Sequence, residues 1–315
     1  MNVPRSGGRR ALVVGAGGFL GGAIVSALAA RGWTVRGLVH NPRSRADVEQ
    51  RGAEAVVGDV LDADALDNAV HGCEAAVHVA TADAAGPGGP HHMEMVRVLG
   101  AQNLVRAARA GGVRRLVVGS GYWVYADEPG TITEDSALDP RGESLVNLHA
   151  ERAALDSDTR GSLEVLVVRP GMVYGNGSWF RPVVQAIRDG TYRYVGDGSN
   201  AWSFVSLEDT GEGFARVVGL GTPGEVYNLV DGHPATWKEF GDFVSDRLGR
   251  PRPSSISASE GVALYGPDVA HHFQARRACS SAKVERLGWK PRYADFRAGL
   301  SALLPSMVGT DSARS

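Results

Sequence analysis

Lysine is scarce in this 315-residue chain. Only Lys238, Lys283 and Lys290 occur among its 33 basic residues, the rest being arginine, so a mechanism that needs an ammonium must find it at three late positions. Cysteine is limited to Cys73 and Cys279, which excludes a disulfide scaffold and a cysteine-rich metal site. No apolar run approaches the ~18–20 residues that span a bilayer, and no membrane partner is expected. An excess of one charge is also missing. The 33 basic and 35 acidic side chains leave a net charge of −2, far from the basic surplus of a nucleic-acid binder. Met1–Arg10 is polar and leads into a strand-like Ala11–Val14 instead of a signal-peptide core, so a soluble cytoplasmic protein is expected. His91-His92 and His271-His272 are adjacent pairs whose side chains diverge, with no carboxylate–histidine spacing nearby, and no metal is expected.

What remains is an alternation of apolar strands and amphipathic helices. Strands are expected at Arg10–Val14, Thr34–Val39, Glu54–Gly58, Ala75–Ala80, Arg114–Gly119 and Leu163–Val168. Helices fall between them at Gly18–Arg31, Arg43–Arg51, Ala63–Val70, His91–Ala110 and Arg141–Asp156. Strands separated by helices of this length predict an α/β fold with a doubly wound parallel sheet and right-handed crossovers. The rhythm breaks after Arg169. Residues 176–202 and 232–309 hold most of the Trp, Tyr and Phe, which predicts a smaller C-terminal substrate lobe over the carboxyl edge of the sheet. The expected division is a sheet domain of residues 1–175 with 203–231, a lobe of 176–202 with 232–309, and a disordered tail over 310–315. Loops 83–90 and 121–140 are candidate mobile segments.

Gly15-Ala16-Gly17-Gly18-Phe19-Leu20-Gly21 stands between the first strand and the first helix. Gly15 permits a tight turn, Gly18 lets backbone approach a pyrophosphate, and Gly21 lets the helix pack on the strand, the pattern of a Rossmann dinucleotide site. An NAD site places a carboxylate at the end of the second strand. Here the chain reads Val39-His40-Asn41-Pro42-Arg43-Ser44-Arg45, with no acid and with Arg43 and Arg45 able to meet a 2′-phosphate. NADP(H) is therefore expected over NAD(H). Asp59 and Val60, at the end of the third strand, are placed beside the adenine.

These residues resemble the extended short-chain dehydrogenase/reductases, the group of nucleotide-sugar epimerases and dihydroflavonol-type reductases. Gly15–Gly21 is similar to that family's cofactor loop, Gly58-Asp59-Val60 to its adenine contact, and His78-Val79-Ala80-Thr81 to its loop after the fourth strand. Arg169-Pro170-Gly171-Met172-Val173-Tyr174-Gly175 resembles the segment beside the nicotinamide. Phe204–Asp209, Val226–Leu229 and Leu287–Pro291 resemble landmarks of its second half. The resemblance implies cofactor contacts from Gly119 and Asn147 as well.

The departure lies at the chemistry. The family carries Ser or Thr after the fifth strand and Tyr-x-x-x-Lys on the next helix. Here the register puts Glu143 at the tyrosine and Asn147 at the lysine, and Gly121 at the Ser/Thr position with Ser120 one before it. None of the eight tyrosines has a lysine four residues on, so the motif is absent in any register. A general acid contributes roughly 10²–10⁴-fold. Candidates to replace it are Glu143, Tyr122 or Tyr125, or a donor carried by the substrate with Ser120 holding the oxygen. Asn147 can bond the nicotinamide ribose. His149 points away from Glu143, Asn147 and Glu151, which share a helix face, and is read as structural.

Trp123, Tyr174, Trp179, Phe180, Trp202, Tyr265, His271, His272 and Phe273 are candidates to line a flat, apolar substrate pocket. The leading expectation is an NADPH-dependent reductase of a ketone on a bulky, polycyclic aromatic small molecule, working as a monomer or homodimer. It resembles atypical actinomycete reductases that tailor polyketides such as angucyclinones. A redox sensor that holds NADP(H) without turnover and a nucleotide-sugar epimerase or dehydratase remain open alternatives.

Overall fold

The computed structural model describes residues 9–157 and 163–308. Seven strands form one parallel sheet: β1 (Arg10–Val14), β2 (Thr34–Val39), β3 (Ala53–Val57), β4 (Ala75–His78), β5 (Arg115–Gly119), β6 (Glu164–Pro170) and β7 (Val226–Leu229). Their order across the sheet is β7-β6-β5-β4-β1-β2-β3. Helices cover both faces, so the expected doubly wound α/β fold is present. The strand order reverses between β1 and β4, and the crevice outside their carboxyl ends is where such sheets bind ligands. The tail over 310–315 lies outside the described residues.

Strands buried on both faces explain the near-continuous apolar runs; Ala11 to Val14 are at most 1% exposed. On one face helix Phe19–Ala30 packs against helix Leu207–Leu220. Gly211 makes that contact possible, because a Cβ there would sit 2.6 Å from the Ala23 carbonyl oxygen. Helices Ala63–Val70, Gly100–Ala110 and Glu143–Leu155 cover the other face.

Three elements differ from expectation. Val226–Leu229, read from the sequence only as a landmark of the second half, is a seventh strand, four residues long and paired to β6 alone. The expected helix Arg43–Arg51 is a 3₁₀ turn, Pro42–Ser44, followed by Arg45–Gln50, because Asn41 caps the start by accepting from Arg43 N–H and proline fits only there. The helix expected from His91 starts at Gly89, and residues Met95–Leu99 within it form a π turn.

The late aromatic residues build their own core. Trp202 and Trp237 have ring centroids 4.5 Å apart, and Phe204 stacks on Phe240 at 5.0 Å. The segment Phe180–Arg188, helix Trp237–Leu248 and helix Phe296–Val308 close around them.

One ion pair joins the sheet to its site. Glu151 and Arg169 are 1% and 4% exposed, with Nε–H donating to Oε1 at 2.9 Å and Nη2–H to Oε2 at 2.5 Å. The guanidinium also lies 4.9 Å from the Tyr125 ring centroid, and Tyr125 O–H donates to Asn228 Oδ1 on β7. His78, at the end of β4, is equally enclosed, with Nε2 at 3.1 Å from the Arg97 carbonyl oxygen. Burial pushes the pKa of His78 down to about 4.

Removing one partner of a buried pair leaves the other charge stranded. Glu151→Ala should therefore lower the unfolding free energy by about 3–5 kcal/mol in urea titrations, and a loss below ~1 kcal/mol would show that the pair is dispensable. His78 sets a second expectation. Below pH 6.5 the unfolded chain takes up a proton that the folded imidazole refuses until about pH 4, so stability is lost as pH falls through that window. His78→Gln should lose roughly 2 kcal/mol less than the parent protein between pH 7 and pH 5.

Candidate active site

A cleft of about 580 Å³ runs along the carboxyl ends of β1 to β6. Its floor is the glycine loop. Gly15 adopts φ +91° and donates its N–H to the Leu38 carbonyl at 3.1 Å. A Cβ at Gly21 would lie 2.0 Å from the Gly15 carbonyl oxygen, so only glycine lets the helix start so close to the turn. Gly18 is the N-cap and offers no side-chain cap, leaving the first N–H groups of helix Phe19–Ala30 without intrahelical acceptors and open to an anion. This cradle fits a dinucleotide pyrophosphate.

At one end the cleft is bounded by His40, Asn41, Ser44, Asp59 and Val60. Asp59 Oδ1 accepts from Leu61 N–H at 2.9 Å, and its Oδ2 lies 3.5 Å from His40 Nδ1. Gly17 and Ser44 were missed by sequence reasoning. A Cβ on Gly17 would meet Ser44 Cβ at 2.6 Å, so this glycine lets the two loops touch. Arg43 is exposed and does not line the cleft, and its guanidinium has no ion-pair partner among the described residues. Arg45 is paired with Glu49 instead, Nε to Oε1 at 2.9 Å.

The other end gathers the residues at the family's catalytic positions. Thr81, Ser120, Gly121, Trp123, Asn147 and the segment Pro170–Val173 all face it, together with Arg97, which sequence reasoning did not select. Arg97 Nε–H donates to Thr81 Oγ1 at 2.9 Å, and its Nη1–H donates to Asn147 Oδ1. A guanidinium therefore occupies the neighbourhood of the side chain that stands at the lysine position. Burial pushes its pKa down from the ordinary arginine value, and the Glu143 charge opposes that shift. Ser120 Oγ is buried without a hydrogen-bond partner among the described residues.

The remaining candidates fall elsewhere. Glu143 opens its helix on the solvent side and does not line the cleft. Tyr122 is fully buried in a small core with Val124, Ile132, Leu148 and Cys279, and burial raises its pKa far above a useful acid's. Tyr125 is buried too and holds Asn228. Gly119 ends β5 under Val79, whose Cγ1 would meet a Cβ at 2.6 Å, and serves packing. Of the aromatic candidates, Trp123 and Trp179 line the cleft. Tyr174, Phe180, Trp202 and Phe273 belong to the lobe core, because each ring is enclosed by other aromatic and aliphatic side chains. Tyr265 O–H donates to the Arg193 carbonyl at 3.0 Å, while His272 stacks edge-on against Trp123 at 4.1 Å with His271 beside it.

Among the described residues no group of His, Cys, Asp or Glu could hold a metal, and no helix is long and apolar enough to cross a membrane. Residues 11–229 match the model of the NAD dependent epimerase/dehydratase family. A 3-diazoavenalumate denitrifying reductase from a Streptomyces species is 33% identical over 310 residues, covering 92% of this chain and 99% of the relative. A 4-hydroxy-2-methyl-3-oxo-4-farnesyl-3,4-dihydroquinoline-1-oxide ketoreductase from Stigmatella aurantiaca is 31% identical over 247 residues, 76% of this chain and 73% of the relative. Among solved structures, a double mutant of dTDP-glucose 4,6-dehydratase from Streptomyces venezuelae with NAD and DAU bound superposes with a TM-score of 0.78 at 26% identity, over 92% of this chain and 94% of that one. The glycine cradle, the cleft and these likenesses agree: the chain belongs to the NAD dependent epimerase/dehydratase family and is an NAD(P)H-dependent oxidoreductase.

Proposed function

We propose that the protein uses NADP(H) to reduce a ketone on a bulky, polycyclic aromatic substrate of polyketide type, without a tyrosine acid. The observation that carries this reading is the Arg97 guanidinium held on Asn147, in the cleft end shared with Ser120 and Trp123. A bound nicotinamide supplies the hydride. The chain's own part is to orient the carbonyl and stabilise the charge that develops on its oxygen. Ser120 Oγ, lacking any partner, donates to that oxygen. Arg97 brings a fixed positive charge to the same place, and losing a donor of this kind costs about 2.7–4 kcal/mol of transition-state stabilisation. An arginine keeps its protons at working pH. It therefore stabilises an alkoxide but does not protonate it, and the proton comes from a substrate hydroxyl or from water. The same property disfavours an epimerase, which needs a base to take a proton from a sugar hydroxyl. The flat faces of Trp123 and Trp179 suit an aromatic substrate.

The preference for NADP(H) rests on the end of β2, where residues 40–45 include no carboxylate and where the exposed Arg43, without an ion-pair partner among the described residues, offers a guanidinium to a 2′-phosphate.

A second reading is favoured by the same missing acid and by the name of the Streptomyces relative. An aryl diazonium that gains a hydride becomes an arene and dinitrogen, ArN₂⁺ + H⁻ → ArH + N₂, and needs no proton from the protein. Deuterated NADPH separates the two readings. Incubated with polycyclic quinones, aryl ketones and aryl diazo compounds, the protein should place deuterium on an alcohol carbon. Deuterium on a ring carbon with release of N₂ would establish the diazo reading, and tight NADPH binding without transfer to any acceptor would favour a sensor. Arg97→Met should lower kcat about 10²–10³-fold, with partial recovery in Arg97→Lys. Arg43→Ala should raise the KM for NADPH about tenfold or more while leaving that for NADH unchanged.

A further inference from the structure

Behind Trp123 lies a group of polar atoms that the fold leaves unsatisfied. Arg277 is 1% exposed, yet among the described residues its Nε and Nη1 have no acceptor, while Nη2–H donates to the Tyr125 carbonyl at 3.2 Å. Tyr122 Oη and His272 Nδ1 are also buried without partners. All three side chains surround one ring. Tyr122 and His272 meet Trp123 edge-on at 5.6 Å and 4.1 Å, and the Arg277 guanidinium carbon is 5.8 Å from its centroid.

The charges nearby do not neutralise Arg277. Asp127 is taken by Arg276, Nε to Oδ1 at 3.2 Å, and Asp139 by Arg141 at 3.0 Å. His272 is held neutral, its pKa pushed down to about 3 by burial and by the Arg277 charge. One guanidinium is thus left buried and unpaired, a costly arrangement for folding alone. Trp123, the ring beside this guanidinium, lines the cleft, and Arg277 does not.

We propose that Arg277, with His272 and Tyr122, forms a subsite for the carboxylate of an aromatic acid, entered when the Trp123 ring swings aside and closed again as that ring covers the bound acid. The substrate class is then an aromatic carboxylic acid whose reducible group lies beside Arg97 and Ser120 and whose carboxylate lies under Trp123. The subsite rests on the reductase reading for its substrate, but its test reads binding and not turnover, so either idea can fail alone.

The experiment uses the NADP⁺-loaded protein with 2-naphthoate and its neutral counterpart 2-naphthamide, measured by calorimetry. The acid should bind about tenfold or more tightly than the amide, the scale of charge-assisted hydrogen bonds. Arg277→Met should erase that preference while leaving NADP⁺ affinity intact, and Arg97→Met should keep it. Arg277→Gln, which can still donate to the Tyr125 carbonyl, serves the same purpose if the methionine variant does not fold. Equal binding of acid and amide by the unaltered protein overturns the proposal. So does a preference that survives loss of Arg277, or one that vanishes with Arg97, which would put the anion at the nicotinamide end.

Discussion

A carboxylate and a guanidinium withdrawn together from water govern how the active end of this molecule is assembled. Glu151 comes from the helix before β6 and Arg169 from β6 itself. Their pairing fixes the rotation of helix Glu143–Leu155. Asn147, one turn earlier on the same face, is thereby aimed into the cleft, and Glu143, one turn earlier again, is left in solvent. The contact of Arg169 with Tyr125 and the Tyr125–Asn228 hydrogen bond carry the constraint to the loop after β5 and to β7. That loop holds Ser120 and Trp123. One buried pair thus ties Asn147 on its helix to the loop that carries Ser120 and Trp123, more than twenty residues earlier in the chain.

The opposite wall is governed by missing atoms. Gly21 has no Cβ because the Gly15 carbonyl lies where it would be, and Gly17 has none because Ser44 crosses there. These contacts let β1, the first helix and the turn after β2 converge on the floor of the cleft. No side chain caps the helix at Gly18, so its N–H groups remain available to phosphate.

This floor was legible in sequence because its constraints are local: a strand, a glycine turn and a helix within about twenty residues. Asn147 and Ser120 were legible through register with a known motif. Arg97 was not. It lies fifty residues from Asn147 on a π turn, and no hydropathy pattern says which polar residue of a long helix faces a cleft. The signal that could have found it was the emptied lysine position, which calls for a cation from elsewhere in a chain rich in arginine. The aromatic candidates show the complementary failure. Trp202, Phe180 and Phe273 have the composition of a substrate pocket, yet the lobe packs the same rings with aliphatic side chains in its own interior.

Replacing a lysine–tyrosine pair by an arginine–asparagine pair changes what the site can ask of its substrate. A lysine beside a tyrosine lowers the phenol's pKa and makes proton transfer part of the catalytic step. A guanidinium gives up no proton at working pH, and an amide N–H is too weak an acid to give one. What such a site retains is charge and position: Arg97 anchored at both Thr81 and Asn147 cannot follow a moving proton, but it is preorganised for an anion. Under the two proposed readings, the substrates that finish the reaction without help are those that hold a hydroxyl beside the reacting carbonyl or that expel a neutral fragment. On the proposed reductase reading, the arginine narrows the substrate range by chemistry, while Trp123 and Trp179, which line the same cleft, narrow it by shape.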